Sequence, residues 1–247
     1  MDEIRYKRHL MLPEVGAEGQ IKLEQSRVLV VGAGGLGSPV CLYLAAAGVG
    51  TIGIADFDTV DLSNLQRQIL YKESDVGTLK AEAAARHLRE MNSGICVKTF
   101  TEGLTEENAE RLVSQFDVIV DATDNFHTRY LLNDTCMKLG KPNVYGAICE
   151  FSGQVTVFLP EGPCLRCMNP EQPAPGEGPN AADYGVLGVL PGMIGSMQAA
   201  EAIKLLTGCG TVLAGKMVFV DTKTMTFDEM ELSRNPRCSC CGRENRG

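Results

Sequence analysis

Three glycines, Gly32, Gly34 and Gly37, stand in the spacing G-x-G-x-x-G at the end of an apolar, β-branched run, residues 28–31. Gly35 lies in the same loop. Glycine lets backbone come close to a phosphate, and a helix over residues 38–47 would turn its free N–H groups and positive end towards that phosphate. A second apolar run, residues 51–55, ends on Asp56. An acid in that place can hold a ribose hydroxyl. The glycines alone would also serve a strand-to-helix turn that binds nothing. Strand, helix, second strand and terminal acid together favour a nucleotide.

Two further groups of residues have chemistry-bearing spacing. Cys164-Leu-Arg-Cys167 and Cys238-Ser-Cys-Cys241 are C-x-x-C pairs. Four thiolates complete a tetrahedral zinc site and leave no open position, so such a site would be structural. It would tie a mid-chain loop to a segment far downstream. Four unligated thiols or a redox pair are the other readings, and Cys240 is an adjacent spare thiol. The second group is Arg67, Lys80 and Asp124. Singly, each is an ordinary surface charge. Jointly they follow the carboxyl ends of successive strands, as Asn64 and Gln66 do, where ligands sit in open α/β sheets. Two cations can neutralise a triphosphate, and a carboxylate can hold Mg²⁺ on it.

The elements that must position these residues can be read from periodicity. Apolar runs at 28–31, 51–55, 95–100, 118–120 and 143–147 alternate with helical stretches at 38–47, 80–91, 105–114 and 126–139. Thr105 is the expected cap of the 105–114 helix. Alternation of this kind gives an α/β fold with a Rossmann-like, mostly parallel sheet. Later strands at 153–159, 216–221 and 226–232 follow one another closely and read as antiparallel additions. A charged surface helix is expected over 3–12, loop over 13–19, and an apolar helix over 193–206. Residues 160–191 are rich in proline and glycine and read as loop, with 168–190 expected to be mobile. No linker divides the chain. Residues 1–247 read as one domain, with a nucleotide-binding half at 27–147 and a second half at 148–247.

Composition excludes several classes. The chain has 247 residues and a net charge of −8, which argues against a broad nucleic-acid footprint. Hydrophobic content of 44% and charged content of 22% are ordinary for a globular protein. The N-terminus lacks an apolar signal-peptide core, and the longest apolar stretch is interrupted by Gly188, Pro191, Gly192 and Gly195, so no membrane span is expected. The chain reads as soluble and cytoplasmic. Its ten cysteines then point to metal or catalysis before disulfides.

Several motifs meet a known family. G-A-G-G-L-G at 32–37, D-F-D-x-V-x-x-S-N-L-Q-R-Q at 56–68, V-G-x-x-K at 76–80, D-A-T-D-N at 121–125, the two C-x-x-C pairs and G-S-x-Q-A-x-E-A-I-K at 195–204 resemble the MoeB/ThiF/HesA adenylyltransferases. These are bacterial relatives of ubiquitin-activating enzymes, and the likeness runs over residues 5–242. The resemblance implies a homodimer that uses ATP and Mg²⁺ to activate a small ubiquitin-like sulfur-carrier protein ending in Gly-Gly, for thiamine thiazole, molybdopterin or related sulfur transfer. The carrier's terminal carboxylate would attack the α-phosphate and release pyrophosphate. In that implied site Asp56 holds the ribose, the 32–37 loop holds the phosphates, and Asp58 and Asn125 border the nucleotide. Asn64, Arg67 and Lys80 bind the triphosphate, Asp124 binds Mg²⁺, and Arg8 of R-Y-x-R reaches the partner subunit's ATP.

The sequence departs from the pattern in two places. His9 stands where the family often has Gln, and Ala181 stands where many members carry a sulfur-transfer cysteine. Adenylation needs no cysteine. Cys149 is the remaining candidate for a covalent role, against the plainer reading of a half-buried thiol. Three rivals remain. An NAD-dependent oxidoreductase explains the glycines and Asp56 but leaves Asn64, Arg67, Lys80, Asp124 and the cysteines unused. A tRNA threonylcarbamoyladenosine dehydratase would share the ATP site, but the acidic total and the cysteine pairs favour a protein substrate. A silent binding protein would have no use for Arg67, Lys80 and Asp124.

Overall fold

Residues 2–174, 177 and 184–242 are described by a computed structural model. Ala181 and part of the expected mobile loop at 168–190 lie outside these residues. Eight strands form one sheet in the order β3-β2-β1-β4-β5-β6-β7-β8. They are β1 (Arg27–Val31), β2 (Thr51–Ala55), β3 (Cys96–Phe100), β4 (Val118–Asp121), β5 (Asn143–Cys149), β6 (Ser152–Phe158), β7 (Lys216–Asp221) and β8 (Thr226–Glu231). The first five run parallel, with Val28 registered against Ile52 on one side and Val118 on the other. From β5 onward the pairing is antiparallel as expected, across short connections for β5–β6 and β7–β8 and across residues 159–215 for β6–β7.

The β1 side chains show why the parallel half is buried on both faces. Val28 and Val30 pack with Val40 and Leu44 of α3 (Gly37–Ala47), Leu88 of α4 (Lys80–Met91) and Ile194 of α8 (Leu190–Thr207). Leu29 and Val31 point the other way, to Leu112 of α5 (Ala109–Val113) and Leu132 of α6 (Phe126–Leu139). Alternation along a strand therefore feeds two cores at once, and β1, β2 and β4 read as near-continuous apolar runs, while the edge strand β3 keeps Cys96 and Lys98 exposed. Helix α3 stops at Gly48 and α6 at Gly140, both left-handed, as their positions after the last apolar residues suggest. Under the antiparallel half a third cluster joins Tyr130, Tyr145, Phe158, Leu165 and Met217.

Five helices differ from expectation. The first spans only Lys7–Leu10 (α1), and a second, α2 (Gly16–Gln25), fills what reads as loop. The two glycines of α2 conceal it. Gly19 packs tightly, with the Val15 side chain 3.0 Å from where its Cβ would be, so a larger residue there would push Val15 aside. Gln20, fully buried, also donates to the Ala47 carbonyl that ends α3. Helix α5 starts at Ala109 because Asn108, not Thr105, organises the turn. The Asn108 amide accepts from Thr105 N–H and donates to the Gly103 carbonyl. Helix α8 begins at Leu190, with Pro191 in its first turn where no N–H is missed. The short helix α7 (Leu165–Met168) interrupts the proline-rich stretch.

Candidate functional site

Strand order reverses around β1, between β2 and β4, and a cleft opens beyond the carboxyl ends of these three strands. It encloses roughly 1190 Å³ when counted out to open solvent. The glycine loop forms one side. Gly32 has φ 92°, and a Cβ there would lie 2.5 Å from the Ala122 carbonyl. A Cβ on Gly37 would fall 2.0 Å from the Gly32 carbonyl, so the turn closes only with glycine at both places. The Tyr71 hydroxyl donates to the Ala33 carbonyl at 2.7 Å and pins the loop from beneath.

Asp56, at the end of β2, accepts from Ala33 N–H at 2.7 Å with one carboxylate oxygen and from Asp58 N–H at 2.8 Å with the other. Burial pushes its pKa up, against the Ala33 hydrogen bond and the Lys80 charge. Each oxygen keeps a lone pair for a further donor. Lys80 opens α4 and is only 6% exposed, yet its Nζ reaches the half-exposed Asp58 carboxylate at 2.8 Å. Arg67 donates to the Ser63 carbonyl at 3.1 Å and borders the cleft. Asp124 follows β4 and is exposed to the cleft. Among the described residues no hydrogen bond or ion pair engages its carboxylate. That open, anionic oxygen pair suits a divalent cation.

The remaining expected residues divide. Gly32, Gly34, Gly35, Asp56, Asp58 and Asn125 border the cleft. Asn125 also caps α6, accepting from Thr128 N–H at 2.9 Å. Asn64 is absent from the lining. Its amide accepts from Asp61 N–H at 3.2 Å and closes a capping box with Asp61 on the 3-10 turn that presents Arg67. Arg8 is exposed on α1, away from the cleft.

Sequence reasoning passed over Gln68 and Arg129. Gln68 is buried beside Gly34 and its Oε1 has no hydrogen-bond partner. Arg129 is buried within α6 beneath the 121–124 segment. Gln68 stands in the quoted S-N-L-Q-R-Q string. Arg129 gave no signal, since an arginine in a helix reads as a surface residue.

A second cluster lies apart. Cys164, Cys167, Cys238 and Cys241 place all four sulfurs within 4.8 Å of one another. Cys164 and Cys238 are 3.7 Å apart, and Cys167 and Cys241 3.3 Å. A tetrahedron with zinc–sulfur bonds of about 2.3 Å has edges of roughly 3.8 Å, so the donor set fits zinc. Asn235 N–H donates to the Cys167 sulfur at 3.4 Å, and the Asn133 amide to Cys240 at 3.7 Å. Cys240 is thus beside the cluster and not of it. Cys149, half-buried at the end of β5, has its thiol pKa raised by burial and by Glu150, which disfavours the reactive thiolate.

Comparison with known proteins agrees with this geometry. The ThiF family model matches residues 6–240. The SAMP-activating enzyme E1 of Haloferax volcanii is 51% identical over 238 residues, covering 96% of this chain and 88% of that protein. The sulfur carrier protein adenylyltransferase of Thermus thermophilus is 49% identical over 246 residues, covering 97% and 91%. Among solved structures, E. coli MccB with MccA-N7isoASN has the same fold, with a TM-score of 0.86 at 23% identity over 98% of this chain and 75% of that one. With a family match across nearly its whole length and enzymes of named activity spanned almost end to end, this chain belongs to the ThiF family and is an adenylyltransferase.

Proposed function

We propose that the chain adenylates the C-terminal glycine carboxylate of a small ubiquitin-like sulfur-carrier protein ending in Gly-Gly, releasing pyrophosphate from ATP. One observation carries this: the phosphate-type glycine loop, Asp56, Arg67, Lys80 and Asp124 border a single cleft. A dinucleotide alone would leave the last three without work. Reaction class and carrier come from the named activities of the Haloferax and Thermus relatives.

In this reading the 32–37 loop and the start of α3 meet the phosphates with backbone N–H groups. Asp56 accepts from the ribose with its spare lone pairs. Attack by a carboxylate brings an anion against an anionic phosphate, so charge neutralisation and alignment must supply most of the rate. Lys80 leaves Asp58 for the phosphates, and Arg67 swings over the leaving group. Mg²⁺, when bound, neutralises and aligns the phosphates, with Asp124 as its protein ligand. Asn64 holds the turn that aims Arg67. Arg8 acts on the nucleotide of a second copy in a homodimer. The reaction belongs in the cytoplasm, where the cysteines stay reduced.

The test is ATP–pyrophosphate exchange with a panel of purified carriers of the thiazole and molybdopterin types. Exchange should appear with one cognate carrier and vanish when its terminal glycine is removed. Absence of exchange with every carrier, together with tight binding of a nicotinamide dinucleotide, would return the cleft to the oxidoreductase reading.

A further inference from the structure

Arg129 borders two spaces at once. It lines the nucleotide cleft and also a second chamber, bounded further by Tyr145, Cys149, Gln154, Leu165 and Phe219. Of the three residues common to both linings, Phe126, Arg129 and Ile148, it alone carries charge. One arm of the side chain is committed to backbone. Its Nη2 donates to the Thr123 carbonyl at 2.6 Å and to the Gly146 carbonyl at 3.3 Å. The guanidinium carbon stands 5.1 Å from the centre of the Tyr145 ring. Its Nε is buried without a hydrogen bond, 3.7 Å from Asp121 Oδ2, which also lacks one. The other Asp121 oxygen accepts from Thr123 N–H at 3.1 Å and from the Thr123 hydroxyl at 2.6 Å.

Thr123 is therefore gripped on both sides. Asp121 holds its N–H and hydroxyl; Arg129 holds its carbonyl. That carbonyl belongs to the same planar peptide as the Asp124 N–H, so holding it fixes the N–Cα bond from which Asp124 departs and leaves only that residue's own torsions to aim its side chain. An apolar side chain of similar size would fill the space but could not set that plane. A buried ion pair does little for stability relative to good apolar packing, so a purely structural account explains this pair poorly.

We propose that Arg129, with Asp121, is a positioning residue that sets the 123–124 peptide so that the Asp124 carboxylate faces the metal–nucleotide end of the cleft. This rests on the reading of Asp124 as the Mg²⁺ ligand. The test is calorimetric titration of the intact protein with a non-hydrolysable ATP analogue, in Mg²⁺ and in EDTA. Arg129→Lys keeps the charge but loses the planar fork. It should cut the Mg²⁺-dependent gain in affinity about tenfold while leaving binding in EDTA unchanged. Combined with Asp124→Ala it should add nothing further, since both act through one carboxylate. Asp121→Asn should repeat the Arg129→Lys result and serves if the lysine variant does not fold. Full Mg²⁺ gain in both variants, equal weakening with and without Mg²⁺, or a loss additive with Asp124→Ala would each overturn the proposal. Asp124→Ala retaining the gain would remove its premise. No carrier takes part in the titration, so failure of the adenylation reading shows in the exchange assay and failure of this one in the analogue binding.

Discussion

Asp124 and Lys80 border one cleft but are held differently, and their variants should behave accordingly. Asp124 is exposed and supports no described hydrogen bond, so Asp124→Ala should fold with an unchanged melting temperature. Pyrophosphate exchange should nonetheless fall on the order of a hundred- to a thousandfold, the usual loss of one charge-stabilising group in a water-poor site. Lys80→Ala should fall as far, with a small stability loss from breaking its contact with Asp58. If both variants kept near-normal exchange with a cognate carrier, neither residue would be part of the reaction. Asp56 should separate from them kinetically. A ribose contact is alike in ground and transition states, so Asp56→Ala should raise KM for ATP and leave kcat less affected, read from initial rates at varied ATP. The variant also strands the Ala33 and Asp58 N–H groups, a cost of roughly 1–3 kcal/mol in unfolding experiments.

At the level of elements, the segment before α4 is anchored by one buried carboxylate. Asp75 is 1% exposed, accepts from Lys72 N–H at 2.8 Å, sits 2.7 Å from His87 Nε2 and pairs with Arg86. Burial alone would raise its pKa, but the His87 hydrogen bond, the Lys72 amide and the Arg86 charge outweigh it and hold the group below its ordinary 3.8. The stability it contributes is then present above that value and lost as pH falls through the lower, folded one. Asp75→Asn should cost on the order of 2 kcal/mol in urea denaturation near neutral pH, and the gap from wild type should narrow as pH falls below 3.8. A gap independent of pH would show that the carboxylate charge is not what holds the segment. Because α4 begins at Lys80, the same anchor fixes where the ammonium starts. Such anchors are what the sequence hides. The βαβ unit over 27–55 was legible because strand, glycine turn and helix each carry a local signature. Asn108 replacing Thr105 as organiser of its turn was not, because Asn108 reaches back five residues to the Gly103 carbonyl, a loop contact that cap spacing does not encode. Helix α2 was masked by two glycines whose roles, a left-handed start at Gly16 and close packing of Gly19 on Val15, are visible only in three dimensions. The cleft charges could be read from strand-end spacing, whereas Arg129 acts through backbone carbonyls that no motif encodes.

At the scale of the whole molecule, the four-cysteine cluster joins two distant parts of the chain. Purified protein should contain about one zinc per chain by elemental analysis, because the sulfur spacing matches its tetrahedron. Cys238→Ser should lose the metal and melt at a markedly lower temperature, since metal-binding energy appears as folding energy. Metal-free protein of undiminished stability would dismiss the site. The spacing also sets an order of events during synthesis. Cys164 and Cys238 are 74 residues apart. A ribosome adding roughly 5–20 residues per second takes about 4–15 s to cover that distance. The parallel strands and their glycine loop can therefore form while two of the four clustered cysteines have not yet been made. Leu165, which bounds the second chamber, follows directly on Cys164 and waits with it. The knot is tied only once the 238–241 segment has been made, so a nascent chain can fold around its nucleotide cleft before the chamber beside it has its final wall.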